Sequence, residues 1–184
     1  MIPVRLHAHL VSTGLGPLFD GIGYVVVTPQ DLLPVIALAL LAGLGGKAYG
    51  RRVLFVLPVA WLAGGLVGLS IGWSPPLATT ALSFLVLGGL VAADRPMSER
   101  AGMVLAVALG VLHGEMNGVE MAAAGIGLTG LLGTVAMLFV CVALVTGLVV
   151  SLRPTWTRVA VRVAGSWIVA VGLLYLGWTL GGRG

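Results

Sequence analysis

The sequence predicts an all-α polytopic integral membrane helix bundle, and three observations lead there. Hydrophobic residues make up 59% of the chain against 9% charged, with a mean hydropathy of +1.12. Several apolar runs approach the roughly 20 residues that cross a bilayer as one helix. Short turns rich in Gly, Pro and basic residues separate those runs. No low-complexity or acidic block intervenes, so residues 1–184 form a single transmembrane domain. Within it, 1–30 is an outer amino-terminal elbow and 31–184 the helix bundle.

The elements follow in chain order. Residues 1–10 hold no apolar stretch long enough for a secretory signal. Two readings remain for that start: a trimmed precursor, or a first span that inserts uncleaved. Leu10–Thr28 is apolar but carries Gly14, Gly16, Pro17, Asp20, Gly21 and Gly23, which interrupt helices and would leave backbone groups unpaired in lipid. This segment is expected to be irregular or re-entrant at the outer face, with a seventh span as the alternative. Six spans follow, at about Asp31–Leu44 (lengthened by flanking residues), Val53–Trp73, Leu77–Ala93, Ala101–Met121, Gly127–Leu152 and Val159–Leu180. Between them lie the basic turn Gly45–Arg52, the tight turn Ser74-Pro75-Pro76, the polar loop Asp94–Arg100 with Ser98 as a helix cap, and the turn Arg153–Arg158. Glycines such as Gly64, Gly65, Gly68, Gly88, Gly89, Gly130, Gly133 and Gly147 punctuate the spans, and close helix packing is their expected role.

The basic residues set the orientation. A net charge of +4 and a pI near 10.0 would point to nucleic acid in a soluble protein. Here the charges sit in loops between apolar runs, and nucleic acid is not an expected partner. With the amino terminus outside, Lys47, Arg51, Arg52, Arg95, Arg100, Arg153, Arg158 and Arg162 fall on the inner side, leaving only Arg5 and Arg183 outside. The expected location is a bacterial-type inner (plasma) membrane with these loops cytoplasmic. Trp73, Trp156 and Trp178 fall near span ends, where interfacial aromatics belong. The lone Cys141 excludes an internal disulfide.

That orientation gathers His7, His9, Asp20, Asp31, His113, Glu115, Asn117 and Glu120 at or near the outer face. The densest part is Leu112–Glu120, where His113, Asn117 and Glu120 share one helix face. A polar stripe in an apolar helix costs several kcal/mol unless it meets a partner, an ion or water. Three readings fit it: a ligand set for a divalent metal, a structural polar network, or a catalytic or haem site. Imidazole with carboxylate suits nickel, cobalt or zinc, while Met116 and Met121 nearby would favour copper if they were ligands. Packing is their simpler role. Asp31 is either a helix cap or first-turn acid favoured by the helix dipole, or a carboxylate ligand opposite His113. Asp20 suits its glycine-rich turn, His7 and His9 suit a solvated terminus, and all three also suit an entry funnel for an ion. Tyr24 is read as interfacial, with a hydrogen bond to the site as the alternative. No phosphate-binding loop is present, and no nucleophile–base pair argues for an enzyme.

The stretch Leu112-His113-Gly114-Glu115-Met116-Asn117-Gly118-Val119-Glu120 is similar to the FHGxAHGxE motif of the HupE/UreJ family of nickel and cobalt permeases. His113, Gly114, Gly118 and Glu120 match, while Leu112 replaces Phe, Met116 replaces Ala and Asn117 replaces the second His. The family's HPxxGxDH motif is fainter: Val25–Leu32 keeps the aspartate as Asp31 and loses both histidines. The likeness is that of a divergent branch. It implies metal transport with outer-side ligands from the first and fourth spans.

The expected function is thus a permease for a divalent transition metal ion, nickel or cobalt before copper or zinc. His113, Glu120 and Asp31 form the core of its site, Asn117 and Glu115 assist, and His9, His7 and Asp20 form the funnel. The metal ion and the lipid bilayer are its expected partners, and a homo-oligomer is left open. The alternative is a non-transporting membrane subunit that binds metal, copper included, or serves assembly with a structural polar cluster.

Overall fold

A computed structural model describes residues 12–72, 78–95, 97–152 and 155–181. They form seven helices: α1 Pro17–Val27, α2 Pro29–Leu44, α3 Lys47–Ile71, α4 Ala78–Ala93, α5 Glu99–Ala123, α6 Gly127–Ser151 and α7 Thr155–Gly181. No strand occurs among the described residues. Each expected span overlaps one of α2 to α7, but Lys47–Arg52, expected as part of a turn, form the first turns of α3, and Trp73 and Leu77 lie outside the described residues.

Helices α3, α5, α6 and α7 are each long and apolar enough to cross a membrane. Helix α2 reaches that length only together with α1, from which it is bent by 73°. The glycine-rich amino-terminal stretch therefore makes its elbow as a helix and a sharp bend. Pro17 and Pro29 each open a helix, where a missing N–H costs nothing, and Thr28 forms the break between them. Helix α4 has 16 residues, about 24 Å at 1.5 Å per residue, which is short of the ~30 Å hydrocarbon core. At the start of α5, Ser98 accepts a hydrogen bond from the Ala101 amide at 3.2 Å, the expected cap.

The packing rests on backbone contact. Helices α3 and α5 run parallel and make the most extensive interface in the bundle. A Cβ at Gly64 would lie 2.2 Å from the Val111 carbonyl oxygen, and one at Gly68 would lie 2.1 Å from that of Glu115. From the other side, Gly114 meets the Trp61 backbone and Gly118 meets Gly65. The pairing is a small-residue seam, used where lipid gives helices no hydrophobic reason to associate. Helices α4 and α7 pair in the same manner through Gly88 and Gly165, and α1 lies on α6 through Gly21, Gly130 and Gly133. Gly89 and Gly147 depart from the packing expectation, because open space faces both.

Large apolar side chains such as Phe55, Leu144, Trp167 and Leu174 face outward, as a lipid-solvated surface requires. Trp156 and Trp178 are exposed near the two ends of α7, while Trp73 lies outside the described residues. The basic loops collect at one end of the bundle, where Arg52 pairs with Glu99 at 2.8 Å and Arg158 with Asp94 at 3.1 Å. Arg162 donates from Nε to the Ala92 carbonyl at 3.2 Å, satisfying an orphan acceptor at the end of α4. The polar cluster lies at the opposite end.

Candidate functional site

Helices α2, α4 and α5 place one polar side chain each at a common point. His113 on α5 is 1% exposed and Asp31, in the first turn of α2, is 4% exposed. Their Nδ1 and Oδ1 atoms lie 2.9 Å apart. On the other side of the ring, Nε2 lies 3.1 Å from the Ser83 hydroxyl of α4. Ser83 is also 2.8 Å from the Thr80 carbonyl one turn earlier. The Trp61 ring of α3 closes the remaining side, with its centroid 5.7 Å from that of His113.

This geometry has a definite hydrogen-bond logic. A carboxylate only accepts, so Nδ1–H donates to Asp31; Nε2 of a neutral ring is then an acceptor, and the single Ser83 proton serves either it or the Thr80 carbonyl. Asp31 thereby fixes both the tautomer and the ring plane. The same carboxylate–histidine arrangement orients imidazoles that ligate metals. Asp31 is thus a first-turn acid of α2 that is also the hydrogen-bond partner of His113.

One turn further along α5, Asn117 is 1% exposed, and neither its Oδ1 nor its Nδ2 has a partner among the described residues. Trp61 Nε1 and Thr80 Oγ1 are buried without partners as well. Each such atom costs about 1–3 kcal/mol when left unsatisfied. Four of them, on three side chains of the helices around His113, are a concentration of unmet hydrogen-bonding capacity.

The other predicted residues distribute around this centre. Glu120 accepts a hydrogen bond from the Tyr24 hydroxyl of α1, which makes Tyr24 a site contact and corrects its interfacial reading. Asp20, in the first turn of α1 rather than in the glycine-rich turn expected for it, accepts from the Thr13 amide at 2.6 Å and the Thr13 hydroxyl at 2.7 Å. Glu115 is half-buried and makes no hydrogen bond among the described residues; 113, 117 and 120 share a face that 115 does not. His7 and His9 lie outside the described residues. Among the described residues, no three His, Cys, Asp or Glu side chains converge on a point. Met121 is fully buried in the core.

Ser83, Trp61 and Thr80 had no sequence signal of their own. Ser83 and Thr80 are small hydroxyls of the apolar α4 and Trp61 an indole of the apolar α3, residue types common in such helices, and only the folded packing reveals their place. The motif glycines also gain a role: Gly114 and Gly118 seat α3 against the helix that carries His113.

No curated protein and no solved structure matches the chain. The family described as "HupE / UreJ protein" does match, over residues 1–175, a region that includes both motif regions and all seven helices except the last turns of α7. With that coverage, and with His113 and Asp31 meeting across α5 and α2, the chain belongs to the HupE/UreJ family, integral membrane proteins associated with nickel and cobalt transport.

Proposed function

We propose that this protein is a permease that carries a divalent transition metal ion, nickel or cobalt, across the membrane. The observation that supports it best is the buried His113–Asp31 pair beside the unpartnered Asn117 amide. An ion bound there meets the Nε2 lone pair of His113, whose orientation Asp31 maintains, and the Asn117 Oδ1 acceptor. Glu120 supplies a carboxylate once Tyr24 releases it, and Asp20 lies on the proposed approach. Such a donor set, with one imidazole and oxygens, suits borderline ions, and copper and zinc are its closest competitors. Binding must be strong enough to strip water from the ion and weak enough to release it.

The proposed orientation puts the site at the outer face and the Lys47, Arg52 and Arg158 end in the cytoplasm. An inside-negative potential then drives a divalent ion inward, by about 2.3 kcal/mol per charge for each 100 mV. Purified protein in liposomes tests the proposal directly. Radiolabelled nickel should accumulate when the interior is made negative, and cobalt should compete. Absence of uptake for both ions, in vesicles where the protein is folded, would overturn it.

One observation favours the second reading, a structural cluster in a non-transporting subunit. Both ring nitrogens of His113 already have partners. The two readings separate on Ser83→Ala. A structural cluster loses stability, whereas a binding site gains access to Nε2 and keeps or raises its metal affinity.

A further inference from the structure

At the basic end of the bundle, a groove of about 220 Å³ lies between α3 and α6. Lys47 and Arg51 form its rim, and Leu54, Val142 and Val150 form its walls. Gly147 contributes depth, because no atom lies within 4 Å of where its Cβ would be. At the floor the helices touch, since a Cβ on Gly50 would meet the Thr146 methyl at 2.3 Å. The Thr146 hydroxyl is already committed to the Ala39 carbonyl at 3.2 Å, so it presents no free polar group to the groove.

The rim charges are not neutralised. Lys47 and Arg51 are exposed, and neither takes part in an ion pair among the described residues, where Arg52 takes Glu99. Four residues apart on one helix, they face the same way and repel each other. Helix α3 starts at Lys47 without a side-chain cap, so its amide dipoles add to the positive field there. Two unneutralised cations above an apolar slot match an anionic headgroup above an acyl chain. Outward-facing Phe55 on α3 and Phe139 on α6, their rings 5.8 Å apart, continue the exposed apolar surface along the same two helices, so a bilayer lipid reaches the groove laterally.

We propose that this groove is a binding site for an anionic phospholipid, with the phosphate on Lys47 and Arg51 and one acyl chain along Leu54, Val142 and Val150. Basic pockets between transmembrane helices at the headgroup level recognise lipids in this way. The apolar walls distinguish this occupant from a free phosphate, which would gain nothing from them.

The test uses the purified full chain in neutral detergent with fluorescent phosphatidylglycerol as the probe and phosphatidylcholine as its zwitterionic control. Wild type should bind phosphatidylglycerol at least tenfold more tightly. Lys47→Ala combined with Arg51→Ala should weaken phosphatidylglycerol about thirtyfold, the scale of two surface charges, and leave phosphatidylcholine unchanged. Gly147→Leu fills the notch while keeping both charges, and should weaken binding at least tenfold. Arg95→Ala, an exposed charge in another loop, should change nothing. Equal binding of the two lipids by wild type would overturn the proposal, as would unchanged binding in both groove variants. An Arg95→Ala effect as large as the rim pair's would overturn it too, since generic charge would then suffice. Displacement by millimolar inorganic phosphate at constant ionic strength would reduce the groove to an anion site and also defeat the proposal.

Discussion

Replacing Gly114 with Ala is the smallest change that tests how the site is held. The added Cβ would lie 2.2 Å from the Trp61 carbonyl oxygen and 2.9 Å from both the Trp61 carbonyl carbon and its Cα. Ordinary contact begins at about 3.4 Å, so α5 must retreat from α3 by roughly 1 Å. No side-chain rotation relieves this, because every atom in the way is backbone. Overpacking of this kind costs about 1–3 kcal/mol. It also shifts His113, the adjacent residue, relative to the Trp61 ring and Asp31. Thermal unfolding in detergent should show a transition several degrees lower than wild type. Gly89→Ala and Gly147→Ala add the same methyl to open space, and should be neutral or slightly stabilising through helix propensity. An unchanged transition for Gly114→Ala, or equal losses at Gly89 and Gly147, would refute the backbone-contact reasoning.

Asn117→Leu should keep or raise thermal stability, because it removes two unsatisfied buried atoms, while metal affinity falls; lost stability with unchanged metal binding would show that the amide is structural. Arg52→Ala, which deletes an exposed pair with Glu99, should cost less than about 1 kcal/mol, measured by the same unfolding assay. In a Cys141→Ala background, Ala48→Cys should resist an impermeant thiol reagent added outside intact cells, and labelling from outside would invert the proposed orientation.

Much of the fold is legible in the sequence because lipid imposes a coarse and strict rule. Runs of apolar residues near membrane length must be helical, since nothing else satisfies the backbone there, and α3, α5, α6 and α7 follow. Helix α1 is less legible. Its glycines weigh against helix in isolation, yet packing of Gly21 on Gly130 and of Gly133 on Leu18 supplies the stabilisation that local propensity lacks. The meeting of Asp31 and His113 is partly legible: the polar stripe on α5 demands a partner, and Asp31 is a carboxylate at the same expected membrane face. Ser83 and Trp61 are not legible, because small hydroxyls and an indole are ordinary in apolar spans and carry no charge that demands a partner. Tyr24 shows the same limit from another side. Its phenol suits a membrane interface as well as a carboxylate partner, and only the packing of α1 on α6, which carries Tyr24 to Glu120, decides between them.

The central claim is that His113, oriented by Asp31, provides the nitrogen that holds the transported ion. Elemental analysis of purified wild type and His113→Ala, equilibrated with nickel or cobalt, tests it most directly when thermal stability is measured on the same samples. Wild type should retain stoichiometric metal, and His113→Ala should bind at least tenfold more weakly while remaining folded, since an apolar residue at that depth suits a membrane helix. Unchanged metal binding in His113→Ala, together with lost stability, would contradict the claim and leave the cluster with a structural role alone.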